Sequence, residues 1–203
     1  MVAMQRIFPA LIALFFLVAC ERAATLSPLG ANDVIVAFGD SLTFGTGAST
    51  DTAYPAVLAT LTGRTVINAG VPGDTTTTAL QRLPEVLATH QPRLVLLCLG
   101  GNDMLRRLPQ TETVANLRAL VHTIRASGAE VVLIGVPEPK LFGSAPDFYA
   151  QLAHEMKLPL EQDVFNDVLR DNSLKSDPIH ANAAGYRVVA GELATFLREA
   201  GAL

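Results

Sequence analysis

Residues 34–38, Val-Ile-Val-Ala-Phe, make an apolar and largely β-branched run that stops abruptly at Gly39-Asp40-Ser41. A run of this composition, with no polar residue to turn towards water, reads as a strand covered on both faces. Strands buried on both sides belong to parallel sheets flanked by helices, so this one segment already narrows the fold. Open sheets of that kind bind ligands beyond the carboxyl ends of their strands, and Ser41 falls at such an end. Ser and Asp are also common cap and turn residues, so the segment alone leaves Ser41 between a nucleophile and a local structural role.

The strand signal recurs at 65–69, 94–99 and 130–136, with amphipathic helical patterns at 53–61, 76–89 and 112–127 between the runs. Strands separated by helices of this length imply βαβ units and a parallel sheet. Right-handed crossovers then place helices on both faces, giving an α/β fold built as a three-layer α/β/α sandwich. After residue 136 the rhythm changes to loop chemistry, with prolines at 137, 139 and 146. A helix at 147–156, a weak strand at 158–160 and a final amphipathic helix at 183–200 complete the expected elements. The chain has 203 residues and no composition break that would mark a second domain. That length suits one well-buried domain.

The N-terminus carries a different message. Arg6 is followed by an uncharged run from 7 to 20, too short to span a bilayer, which takes about 20 apolar residues. It fits the apolar core of an export signal, a segment to be excluded from fold reasoning. The run ends Leu17-Val18-Ala19-Cys20, similar to a bacterial lipobox. Residues 1–19 are therefore expected to be a lipoprotein signal peptide, Cys20 the acylated first residue of the mature chain, residues 20–32 a short tether and residues 33–203 the domain. A plain secretory signal cut near Ala23-Ala24, with Cys20 incidental, is the alternative. The expected location is periplasmic, anchored to a membrane.

Half of the residues are hydrophobic and 17% are charged, a globular composition without the signature of disorder. A formal charge of −4 offers no basic face for nucleic acid. Apart from Cys20 the only cysteine is Cys98, inside an apolar run, so no internal disulfide framework exists and Cys98 is expected to be packing.

Three further segments place polar residues where a site could form: Gly70-Val71-Pro72-Gly73-Asp74, Gly100-Gly101-Asn102-Asp103 and Asp177-Pro178-Ile179-His180. In a parallel sheet the first two open on the same edge as Ser41. Acyl transfer needs a nucleophile, a base, a group to orient the base and donors for the oxyanion. Asp177 and His180 are close enough in sequence for one turn to bring the carboxylate to one imidazole nitrogen, leaving the other for the Ser41 proton. The Ser41 N–H, the Gly73 N–H and the Asn102 amide could supply the oxyanion hole. Each residue also has an ordinary reading: a turn at 72–73, an Asn in a Gly-rich turn, a cap at Asp177 and a surface histidine at 180.

Taken together and in this order, the four segments resemble the GDSL, or SGNH, hydrolase family, in particular its bacterial thioesterase, lysophospholipase and arylesterase branch. The resemblance covers roughly residues 33–200 and implies a parallel, flavodoxin-like sheet of about five strands, in keeping with the doubly wound order of such folds. It implies Ser41 as nucleophile, His180 as base, Asp177 as its orienter, and Ser41, Gly73 and Asn102 as the oxyanion hole. It also implies an ester or thioester substrate, with no metal and no organic cofactor. A carbohydrate or peptidoglycan O-deacetylase on the same fold remains an alternative, as does a non-catalytic ligand-binding lipoprotein. The chain is expected to act as a monomer. Pro178 stands where the branch often has Gly, and Ala181 where it often has Pro. The loop 137–146 and the run Thr75-Thr76-Thr77-Thr78 also depart from it, and both are expected to border the site.

Other chemistries lack support. Position 43 is Thr, so no Gly-x-Ser-x-Gly elbow surrounds Ser41. The Gly-rich stretch 39–47 is not followed by Lys-Ser/Thr, so it is no phosphate-binding P-loop. His90, His122 and His154 lack metal-ligand spacing. Arg106-Arg107 reads as a solvated loop pair, or as an attractor for a phosphate or carboxylate near the site.

Overall fold

The computed structural model describes residues 24–140 and 143–203. The expected signal peptide and Cys20 lie outside the described residues, as do Leu141 and Phe142 in the Pro-rich loop. The strands are β1 (Val34–Gly39), β2 (Thr65–Gly70), β3 (Leu94–Cys98), β4 (Glu130–Ile134) and β5 (Leu160–Glu161). The helices are α1 (Ser41–Phe44), α2 (Tyr54–Thr62), α3 (Thr76–His90), α4 (Gly101–Leu105), α5 (Gln110–Ala126), α6 (Phe148–Met156), α7 (Val164–Arg170) and α8 (Ala183–Glu199).

All strands pair parallel in one sheet of order β2-β1-β3-β4-β5. Composition sorts them by position. The runs Val-Ile-Val-Ala-Phe and Leu-Val-Leu-Leu-Cys are almost wholly buried at the centre, whereas β2, with Thr65 and Asn68, is a half-exposed edge. Helix α2 packs on α8 over one face and α3 packs on α5 over the other, so the three-layer sandwich is present. No helix among the described residues is long and apolar enough to cross a membrane.

The last strand is shorter and later than the pattern at 158–160 suggested, because Pro159 cannot donate to the ladder and pairing starts at Leu160. Helices α1, α4 and α7 have too few turns to build a periodic signal of their own. The stretch before β1 is held down: Leu26 and Leu29 are buried, and their N–H groups donate to the carbonyls of Ala200 and Ala202, each at 2.8 Å.

Gly39 is where strand geometry meets the site. It pairs with Gly70 on one side and Cys98 on the other. A Cβ on Gly39 would run into the Thr43 side chain and the Cys98 carbonyl. Backbone cannot step aside as a side chain tip can, and overpacking of this kind costs about 1–3 kcal/mol. Gly39→Ala should lower stability by that order in urea unfolding. An unchanged midpoint would show that the strand end has more room than it has in this structure.

Candidate active site

Ser41 begins α1 directly after β1, and Asp40 caps that helix by accepting the Leu42 N–H on Oδ1 at 3.0 Å. On the far side of the crevice, Gly100 caps α4 in the left-handed region, with φ of +118°. A side chain there would be strained and would also meet the Tyr149 hydroxyl, which donates to the Leu99 carbonyl at 2.7 Å. Those constraints bring α4, and Asn102 with it, down onto the strand ends.

His180 reaches the same place from a separate loop. Ser176 N–H donates to the His180 carbonyl at 2.9 Å, and an antiparallel bridge joins Lys175 to Ala181, so the loop 176–180 is closed at its base. Within it Asp177 Oδ1 accepts the N–H groups of Ile179 and His180, both at 2.9 Å. Its Oδ2 is left to pair with His180 Nδ1 at 2.7 Å, and His180 Nε2 lies 2.9 Å from Ser41 Oγ. Partial burial works to raise the Asp177 pKa, but the hydrogen bonds from the His180 ring and the two amides outweigh it and hold the carboxyl below its usual range. A serine hydroxyl on an imidazole whose other nitrogen is held by a carboxylate can lose its proton as it attacks a carbonyl.

Asn102 is more constrained than its two free donors suggested. Its Nδ2 donates to the Asp74 carbonyl at 2.9 Å and to Asp40 Oδ2 at 3.2 Å. The N–H groups of Ser41 and Gly73 have no acceptor among the described residues. Arg106 fixes the Gly73 loop by donating Nη2 to the Gly73 carbonyl at 2.8 Å. Arg106 is therefore bonded to a site loop, not simply solvated, whereas the positive φ of Arg107, +54°, carries the chain out of α4.

Beneath this layer lie buried carboxylates that motif reading left without partners. Asp74 takes Arg82 Nε at 2.6 Å and Thr78 Oγ1 at 2.8 Å. The Arg82 guanidinium also donates to the Gly39 carbonyl at 2.9 Å and stacks 4.0 Å above the Phe38 ring. Asp103 accepts the Thr76 N–H at 2.9 Å and its hydroxyl at 2.6 Å. The run Thr75–Thr78 thus does not border the cleft as expected: Thr75 and Thr78 form a capping box, and Thr76 is tied to Asp103. No pattern marks Arg82 as a site residue, because its partners lie eight and 43 positions away.

Ser41, Asn102 and His180 open into a cleft of about 400 Å³. Leu42, Leu105, Val136, Leu169 and Ile179 give it apolar walls, and Pro137, Pro139 and Lys140 of the Pro-rich loop form part of its rim. The expectation that this loop borders the site therefore holds for those residues.

The GDSL-like lipase/acylhydrolase family model matches residues 37–188. The chain belongs to that family and is an ester hydrolase of the GDSL type. It is similar to thioesterase 1/protease 1/lysophospholipase L1 of Escherichia coli K12, with 34% identity over 83% of this chain and 85% of that protein. It is also 35% identical to an arylesterase of Vibrio mimicus, over 64% of this chain and 70% of the other. Among solved structures, the psychrotrophic esterase EstA from Pseudoalteromonas superposes with a TM-score of 0.75 at 25% identity, covering 83% of this chain and 98% of EstA.

Asp40 sits in the middle of these groups. Burial pushes its carboxyl up to about 7; the Leu42 amide and His180 pull it down, and the Asp74 and Asp103 carboxylates push it further up. In the unfolded chain the same carboxyl titrates near 3.8. Between those values the native state keeps a proton that the unfolded state has lost, so the Asp40 contribution to stability falls as pH rises through that window. Asp40→Asn does not titrate. Its stability relative to the parent should rise from about pH 4 to pH 7 and then level off, as read by urea unfolding at each pH. Parallel curves for the two proteins would refute the shift.

Proposed function

We propose that this chain hydrolyses carboxylic esters and thioesters through an acyl-enzyme on Ser41. The observation that carries the reading is the continuous line of hydrogen bonds from Asp177 through both nitrogens of His180 to Ser41 Oγ. His180 Nε2 takes the Ser41 proton as Oγ adds to the acyl carbonyl. The oxyanion that forms meets the N–H groups of Ser41 and Gly73 and one hydrogen of Asn102. One Asn102 hydrogen stays on the Asp74 carbonyl, so the oxyanion is served by the hydrogen that points towards Asp40 in the free chain. The imidazolium then gives its proton to the departing alcohol or thiol. Water attacks the acyl-enzyme with its proton passing to the same nitrogen; as the acyl–Oγ bond breaks, that proton returns to Ser41 Oγ and the free acid leaves.

The substrate range follows the relatives. The E. coli protein is named a thioesterase and lysophospholipase and the Vibrio protein an arylesterase, and we extend acyl, aryl and lysophospholipid esters to this chain. The apolar walls of the cleft support an acyl chain as the group bound next to Ser41. The lipobox-like residues 17–20 support removal of residues 1–19 and acylation of Cys20, which would hold the domain at a periplasmic membrane surface. The mass of the mature N-terminal peptide tests this directly, since a peptide beginning at Cys20 without acyl mass would overturn it.

Hydrolysis of p-nitrophenyl esters from acetate to palmitate tests the mechanism. Ser41→Ala should abolish turnover, and Asn102→Ala should lower kcat about 100- to 1000-fold, the usual loss of one oxyanion donor. Asp177→Asn should lower it by roughly 10,000-fold, because an amide holds the imidazole in the wrong tautomer. Ser41→Ala that keeps parental turnover while folded would sink the acyl-enzyme.

A further inference from the structure

Two of the three oxyanion donors come from strands that are not neighbours. The Gly73 turn follows β2 and Asn102 follows β3, while β1, which leads to Ser41, lies between them in the sheet. Pairing within the sheet therefore does not by itself bring the Gly73 N–H and the Asn102 amide to one point, and some contact has to bridge the end of β1.

The turn has a defined shape. Asp74 N–H donates to the Val71 carbonyl at 3.1 Å, closing the sequence Val71-Pro72-Gly73-Asp74. Gly73 follows Pro72 and has φ of +83°, the combination of a type II turn. The Gly73 N–H belongs to the central peptide of that turn, away from the closing bond, and so is left for an outside acceptor. On the near side the turn is held by Val71 N–H, which donates to the Gly39 carbonyl at 3.0 Å, and by Arg82 on the Asp74 carboxylate.

The bridge from the far side comes from α4. Asn102 Nδ2 donates to the Asp74 carbonyl at 2.9 Å, and Arg106 Nη2 to the Gly73 carbonyl at 2.8 Å. These two residues lie one helical turn apart on the same face, and the Arg106 N–H donates to the Asn102 carbonyl at 3.0 Å. Asn102 is itself an oxyanion donor, so of the two bonds only that of Arg106 is independent of the chemistry.

We propose that Arg106 is a positioning residue of the oxyanion hole. It holds the 71–74 turn against α4 so that the Gly73 N–H and the Asn102 amide converge beside Ser41 Oγ. The inference rests on the Ser41 reading for where the oxyanion forms, and gives the exposed guanidinium a role other than attracting an anionic substrate.

Hydrolysis of the neutral ester p-nitrophenyl butyrate by Arg106→Met, Arg106→Lys and Arg107→Ala tests it. Arg106→Met should lower kcat about 10-fold, the scale of one hydrogen bond, since the donors are displaced but still present. Acylation and deacylation both pass through an oxyanion, so both should slow together and KM should stay near the parental value. Arg106→Lys, which keeps a donor, should recover most of the loss, and Arg107→Ala should turn over like the parent. In the Asn102→Ala background Arg106→Met should cost clearly less than it does alone, because one of the two donors it aligns is gone. Arg106 is exposed, so the urea midpoint of Arg106→Met should match the parent, whereas a merely structural role would lower it. A parental kcat in Arg106→Met, a change confined to KM, or a loss that added salt abolishes, as for a charge acting through space, would overturn the proposal. The heteronuclear NOE of the Gly73 amide reads the clamp without turnover, and should fall in Arg106→Met and recover in Arg106→Lys. An unmoved Gly73 signal would count against Arg106 whatever the serine does, while failure of the Ser41 reading would show separately, as turnover retained by Ser41→Ala.

Discussion

The pairing register of β1 is the constraint on which the site depends. Gly39 lies opposite Gly70 and opposite Cys98, so three neighbouring strands stop at one height. The order β2-β1-β3 also means that the chain winds in opposite directions on leaving β1 and β3. The loops after these two strands diverge and leave a crevice between them, with Ser41 on one lip and Asn102 on the other. A slip of one residue would displace Asn102 by about 3.3 Å and turn the β3 side chains to the opposite faces. The apolar side chains of β1 and β3, buried on both faces, are what oppose such a slip.

The crevice is narrow, and what lies under it is polar. Asp40, Asp74 and Asp103 are all buried near the strand ends, where three carboxylates would repel one another if left bare. Each is satisfied differently: Asp40 by the Leu42 amide and Asn102, Asp74 by Arg82 and Thr78, and Asp103 by Thr76. The partners come from α1, α3 and α4, so the same bonds that satisfy the carboxylates tie α3 to the two helices that carry Ser41 and Asn102. Removing one partner would leave a buried acceptor unpaired, which costs far more than the bond contributes when made.

This arrangement explains what could be read in the sequence. The central strands were legible because burial on both faces demands an unbroken apolar run, and the Asp177–His180 turn because the bond between them is local. Arg82 and Arg106 were not, since each matters through a partner remote in sequence. The run Thr75–Thr78 was placed at the rim for its position after the Gly73 loop, yet its hydroxyls close a helix end and bind Asp103. Asn102 stands out in the sequence as a candidate oxyanion donor, but that its amide nitrogen rests on two other segments is visible only in three dimensions.

The segment before β1 also sets a direction for the whole molecule. Leu26 and Leu29 are bonded to the end of the chain beyond α8, Ser27 to Glu130 at the start of β4, and the Leu29 carbonyl to Arg64 just before β2. All of these lie at the edge where strands begin, while the cleft lies where they end. The six residues of β1 separate the two edges by about 20 Å at 3.3 Å per residue. The segment 26–29 is therefore docked at the edge opposite the mouth of the cleft.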